Sequence, residues 1–257
     1  MAFKIKLKIC PAPPQQQDLQ HFNTTHSHMK TLIIFDIDGT LLHSNKIDSL
    51  IFKKVFSTTF GFELPTIDWR DYPHCTDTSI VGSLFDKRGE ARPSAEAMEA
   101  FKDEYVRHLE IGRREQPTDF MEVTGASDTI QRLLADERYE VGIATGGFRK
   151  PAQVKLSHID VNPSPLYDAY ADGNESREDI INEALAKTQH LSINRTVYIG
   201  DAIWDVTTTR NMNLPFVGIR IKGDTETLQR EGAQHVITDY RNYDEFLRKV
   251  EQAKVAR

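Results

Sequence analysis

Cysteine is scarce in this chain. Among 257 residues there are two, Cys10 and Cys75, in unrelated stretches. Two such residues cannot form a disulfide framework, and the expected setting is reducing and cytoplasmic. Long apolar runs are also missing. The longest, such as Leu32–Phe35, are strand-sized, far short of the roughly 20 residues of a membrane span, so no membrane partner is expected. Nor is there an excess of basic charge, since 32 Lys and Arg face 38 Asp and Glu for a net charge of −6. Without a broad positive field nothing recruits nucleic acid in general. The chain has no internal repeat, no GxGxxG, no P-loop pattern and no CxxC.

What is present suffices for a folded enzyme-sized domain. Hydrophobic residues make up 39% of the chain, enough for a sizeable core. The length allows one large α/β domain, or one domain carrying an insertion. Residues 1–28 read differently from the rest. Met1–Cys10 alternates apolar residues with Lys4, Lys6 and Lys8 and has no signal-peptide core. Pro11–Gln17 is Pro/Gln-rich and cannot be a helix interior or a central strand. This segment is expected to be a disordered extension, or to precede a true start at Met29.

From Thr31 the pattern becomes regular. Thr31–Phe35 is a continuous apolar, β-branched run, which predicts a strand buried on both faces. Between Ser44 and about Val123 the character is helical: Phe52, Val55, Phe56 and Phe60 recur at helical spacing, as do Ala95, Met98, Phe101 and Tyr105. No strand is expected there. After residue 124 strands and helices alternate, with strands at Val141–Ala144, Thr196–Ile199, Phe216–Ile219 and Val236–Ile237. Ser176 to Asp179 reads as a capping box opening a helix. Alternation means right-handed crossovers and a parallel sheet. The first strand therefore belongs with this later sheet, and the helical block is inserted between them.

Acidic residues cluster where such a sheet carries its chemistry. Asp36 and Asp38 follow the buried run, two apart, and Gly39 lets the chain turn at once. Ligands of open α/β sheets bind at the carboxyl ends of the strands. Two carboxylates so close repel, which leaves a nucleophile beside a general acid, a metal site, or both, against the plainer reading of turn-forming acids. Gly200-Asp201 follows another strand, and Asp205 lies four residues on, within reach of Asp201 in a first helical turn. Four aspartates make an all-oxygen set that suits Mg²⁺ and not zinc. Thr145-Gly146-Gly147 follows a third strand and is either an anion cradle or an ordinary glycine turn. Arg177 opens a helix, as a fixed charge for a phosphate or as a solvated face.

Taken in order, Asp36-x-Asp38-Gly39-Thr40, Thr145-Gly146, a cation, and Gly200-Asp201-x-x-x-Asp205 resemble the four motifs of the haloacid dehalogenase-like (HAD) superfamily. The likeness runs from about Met29 to the C-terminus. The insertion resembles the helical cap of the phosphoglycolate phosphatase and β-phosphoglucomutase branch. The resemblance implies a Rossmann-like parallel sheet with helices on both faces (residues 29–43 and 124–257) and an inserted all-helical cap (44–123). It implies that Asp36 forms an aspartyl-phosphate and that Asp38 acts as acid, then as base. Thr145, Gly146 and Arg177 would bind phosphate. Asp36, the Asp38 carbonyl, Asp201 and Asp205 would bind Mg²⁺, Asp205 directly or through water. The third motif usually has Lys, so Lys150 and Lys155 compete with Arg177 for that place.

The stretch Trp69 to Asp77 reads as a substrate-reading loop of the cap, with Arg70 or His74 meeting a second anionic group and His43 lining the entrance. The expectation is a Mg²⁺-dependent phosphatase of a small phosphorylated metabolite, acting as a monomer or homodimer. A phosphomutase is the alternative. A dehalogenase is disfavoured by Asp38, and a non-catalytic binding protein by the complete set of groups.

Overall fold

The structure is a computed structural model that describes residues 29–257; the expectation for residues 1–28 lies outside them. Six parallel strands form one sheet in the order β5–β4–β1–β6–β7–β8. They are β1 (Lys30–Phe35), β4 (Tyr139–Ala144), β5 (Tyr167–Ala169), β6 (Ile193–Gly200), β7 (Phe216–Ile219) and β8 (Val236–Ile237). Strand β1 is central, and Leu32, Ile33, Ile34 and Phe35 are fully buried. A strand covered on both faces must be apolar throughout, which is why this run carries no polar alternation. Burial of each such side chain contributes about 1.5–3 kcal/mol.

Helices α4 (Ala126–Leu134), α5 (Arg149–His158), α6 (Arg177–Lys187), α7 (Ile203–Asn211), α8 (Glu226–Arg230) and α9 (Tyr243–Gln252) connect or close the strands. The inserted helices are α1 (Asn45–Phe60), α2 (Asp77–Arg88) and α3 (Ala95–Glu115). They share an aromatic core, in which Phe52 packs edge-on against Trp69, Phe101 and Tyr105. No helix among the described residues is long and apolar enough to cross a membrane.

Two strand assignments correct the sequence reading. Leu42–His43 (β2) pairs antiparallel with Met121–Glu122 (β3), so a strand does occur at the end of the stretch read as purely helical. Two residues show no alternation; this pairing comes from the chain leaving and re-entering the sheet layer side by side. Edge strand β5 was also not anticipated, since its three residues take their conformation from β4.

The cap rests on the C-terminal ends of the strands. The Asp77 N–H donates to the Gly146 carbonyl at 2.8 Å, and the Phe148 N–H donates to Asp77 Oδ2 at 2.9 Å. Thr76 Oγ1 donates to the Glu175 carbonyl at 2.7 Å, and Lys102 pairs with Asp172 at 2.7 Å. Phe148 offers no capping side chain to α5, so the carboxylate of Asp77 caps that helix from the other layer.

Candidate active site

Strands β1, β4 and β6 end side by side, and each delivers part of one cluster. Asp36 continues β1 by donating its N–H to the Ile199 carbonyl of β6 at 3.0 Å. Asp201 follows β6. Asp205 sits in the first turn of α7, where its Oδ2 accepts the Ala202 N–H at 3.0 Å. Carboxylate oxygens of Asp36, Asp201 and Asp205 all lie within 4.8 Å of one another, and all three residues are buried. Packing this tight needs glycine. A Cβ on Gly39, whose φ is +76°, would stand 2.0 Å from Asp201 Oδ2. On Gly146 it would stand 2.6 Å from both the Arg177 guanidinium and the Cys75 carbonyl.

Arg177 neutralises part of this charge. Ser176 caps α6 by accepting the Asp179 N–H at 3.0 Å, as the capping pattern predicts, and so sets Arg177 at the helix start. Arg177 Nη2 lies 2.7 Å from Asp205 Oδ1, 3.1 Å from the Tyr198 hydroxyl and 3.5 Å from Asp36 Oδ1. Lys150 instead pairs with Glu99 and Asp103 on the surface, and Lys155 pairs with Asp38 and Asp48. Of the three cations weighed, Arg177 is the one beside Asp36.

Arg177 between Asp36 and Asp205, with Arg220 Nη1 3.7 Å from Asp201 Oδ2, leaves three buried carboxylates facing two cations. Burial pushes the Asp36 carboxyl up to about 7; Arg177 opposes this shift, while Asp205 and Asp38 add to it. Burial, then Asp205 and Asp36, raise Asp201 well above the carboxylate range. Burial works against the charge of Arg177, yet Asp205, Tyr198 and Asp36 hold it firmly protonated. Asp36 Oδ1 is buried with no hydrogen-bond donor. An orphaned oxygen in an all-oxygen set fits a hard divalent cation. Asp205 already spends both oxygens, one on Arg177 and one on Ala202, so it is placed to support the site, whereas Asp36 Oδ1 has no donor and Asp201 Oδ2 has only long contacts, to Asn45 at 3.3 Å and Arg220 at 3.7 Å.

A cavity of about 430 Å³ opens above the cluster. Asp36, Asp38, Thr145, Gly146, Arg177 and Asp201 line it from below, and Asp48, Ser49, Phe52, Trp69 and Asp77 from the cap. His43, Arg70 and His74 do not line it. Arg70 turns away to form a forked pair with Asp68, and 64% of its side chain is exposed. His43 and His74 are exposed elsewhere. The loop Trp69–Asp77 does reach the cavity, but through Trp69, Cys75 and Asp77.

The sequence alone gives no sign of Tyr198, Arg220 and Asp48 here, and offers Lys155 only as a rival to Arg177. Tyr198 lies under the cluster and donates to the Ala144 carbonyl at 2.9 Å. Arg220 approaches Asp201, donating to its carbonyl at 3.1 Å. Asp48 and Lys155 pair across the cap boundary. Each looks locally like an ordinary strand or helix residue, and only Lys155 stood out as a possible cation.

Comparison with known proteins bears on the same residues. The family described as haloacid dehalogenase-like hydrolase matches residues 33–219. No curated protein matches the sequence significantly. Among solved structures, the fold is similar to a hydrolase from Pseudomonas syringae (22% identity, TM-score 0.64, covering 86% of this chain and 99% of that one). It is similar to CbbY from Rhodobacter sphaeroides in complex with phosphate (15% identity, TM-score 0.60, 83% and 96%). A predicted phosphatase from Clostridium acetobutylicum is a third (19% identity, TM-score 0.55, 87% and 99%).

Proposed function

Since the chain belongs to the haloacid dehalogenase-like hydrolases, we propose that it is a Mg²⁺-dependent phosphatase acting on a small phosphorylated metabolite through an aspartyl-phosphate. The observation that carries this reading is the gathering of Asp36, Asp201, Asp205 and Arg177 at the carboxyl ends of the central strands, beneath a cavity walled partly by the cap. The phosphate held by the Rhodobacter protein and the name of the Clostridium one support it.

Asp36, Asp201 and the Asp38 carbonyl would hold Mg²⁺, with Asp205 contributing through water. When bound, the ion supplies the positive charge that lets a phosphate dianion approach Asp36. Thr145, the Gly146 backbone and Arg177 position the phosphoryl group, and the cap excludes bulk water. An Asp36 oxygen attacks phosphorus in line while the bond to the leaving oxygen breaks. The Asp38 carboxyl gives its proton to that oxygen. The resulting Asp38 carboxylate then takes a proton from water as that water attacks the phosphorus of the aspartyl-phosphate. Inorganic phosphate leaves, and Asp36 is regenerated.

A panel of phosphorylated metabolites with Mg²⁺, read by inorganic phosphate release, tests the reading. Asp36→Asn is expected to stay folded and to lose turnover. Retained hydrolysis in that variant refutes the covalent route, and isomer formation without phosphate release points to a mutase.

A further inference from the structure

Lys155 reaches the site from α5, and its side chain is 3% exposed. Its ammonium donates to Asp38 Oδ2 at 2.7 Å and lies 2.8 Å from Asp48 Oδ1. Asp48 belongs to α1 of the cap and also accepts from the Tyr105 hydroxyl of α3 at 2.6 Å. Ser44, just before α1, donates to the other Asp38 oxygen at 2.6 Å. Both oxygens of Asp38 are therefore held while the residue still lines the cavity. A buried ammonium is costly unless its geometry and partners are good, and no contact found for Lys155 reaches the nucleophile, beside which Arg177 already stands.

We infer that Lys155 is a positioning residue for Asp38: it aims the carboxyl at the leaving oxygen and ties that aim to the seating of cap helix α1 through Asp48. The inference rests on the phosphatase reading above. Its physical content is that a misplacement of about 1 Å in a proton donor costs on the order of a hundredfold. The loss should appear only in the steps in which Asp38 moves a proton: delivery to a poor leaving oxygen and activation of water.

The test compares two esters, an alkyl phosphate (glycerol phosphate) and an aryl phosphate with an acidic leaving phenol (p-nitrophenyl phosphate). For Lys155→Met, kcat/KM on the alkyl ester is expected to fall about a hundredfold, because the poor leaving oxygen needs the Asp38 proton. On the aryl ester kcat/KM stays near that of the parent. There kcat falls and a burst of phenol appears, because water activation is slowed. Lys155→Arg keeps the cation and is expected to recover most of the alkyl rate. Asp48→Asn is expected to lower alkyl turnover alone, by less. If the methionine variant does not fold, Lys155→Gln makes the same comparison. Equal losses in kcat/KM on both esters, or no loss in kcat/KM on either, overturn the inference, and an unchanged alkyl rate in Asp48→Asn overturns the tie to the cap. Hydrolysis of neither ester by the parent enzyme defeats the phosphatase reading, and this inference falls with it.

Discussion

Replacing Arg177 by methionine removes the guanidinium that stands between the buried carboxylates of Asp36 and Asp205. At an effective dielectric constant of about 20, a unit pair at the Arg177–Asp205 spacing attracts by about 6 kcal/mol, and one at the Arg177–Asp36 spacing by about 5 kcal/mol. Desolvation of the guanidinium offsets much of this. Removing one partner of a buried pair nevertheless costs about 3–5 kcal/mol, because the other charge is left uncompensated. Here two carboxylates are left so, with Asp201 adjacent. A loss of that size takes a large share of the roughly 5–15 kcal/mol that holds a domain folded, and should lower the melting temperature by roughly 6–20 °C. Arg177→Lys keeps the charge but loses one of the contacts that Nη2 makes to Asp205, Tyr198 and Asp36, for a smaller loss of about 1.5 kcal/mol, the value of one charged hydrogen bond. The assay is denaturant unfolding in the presence of a metal chelator, at pH 8 and at pH 5. The deficit of the methionine variant should shrink at pH 5, where the stranded carboxylates can take up protons. A methionine variant within about 0.5 kcal/mol of the parent at pH 8, the range of an ordinary surface change, would refute the reasoning.

Further expectations follow from the same cluster. Mg²⁺ at about 100 times its dissociation constant should stabilise the protein by about 2.7 kcal/mol, seen as a rise in melting temperature that Asp201→Asn abolishes. Gly39→Ala should lose the same metal-induced rise, since its methyl group would overlap the Asp201 carboxylate and its φ of +76° disfavours a side chain. Asp77 bears on pH dependence. Burial, with Asp48 adding to it and Lys155 opposing, pushes its carboxyl up to about 8. A raised pKa in the folded state means that the stability it contributes is complete below the unfolded carboxyl range and is lost as pH rises through about 8. Asp77→Asn, whose amide oxygen still accepts the Phe148 N–H, should therefore gain on the parent in denaturant unfolding between pH 5 and pH 8. A constant difference across that window would count against the assigned burial.

Much of the core was legible because buried parallel strands leave a strong trace. Leu32–Phe35 could only be a doubly covered strand, and the acids after it could only lie at its carboxyl end. The same logic placed Asp201 just past the next strand in space, with Asp205 in the helical turn that follows. Cap helices α1 and α3 showed themselves through their apolar and aromatic spacing, whereas α2 did not. The two-residue pair β2–β3 was illegible because its pairing partner is about 80 positions distant and no periodicity fits into two residues. Arg70 and His74 were reasonable choices by chemistry, but nothing in a linear sequence tells that Asp68 captures the Arg70 fork.

The order of motifs, the residue types at the strand ends, and the helical nature of the insertion were written in the chain itself, since each depends on periodicity or on near neighbours. Which cation meets Asp36, whether Asp205 has an oxygen to spare, and which cap residues face the cavity were decided only by the fold. Those answers turn on side chains brought to 2.7 and 3.5 Å across gaps of 28 and 141 positions, and contact at that range is a property of packing.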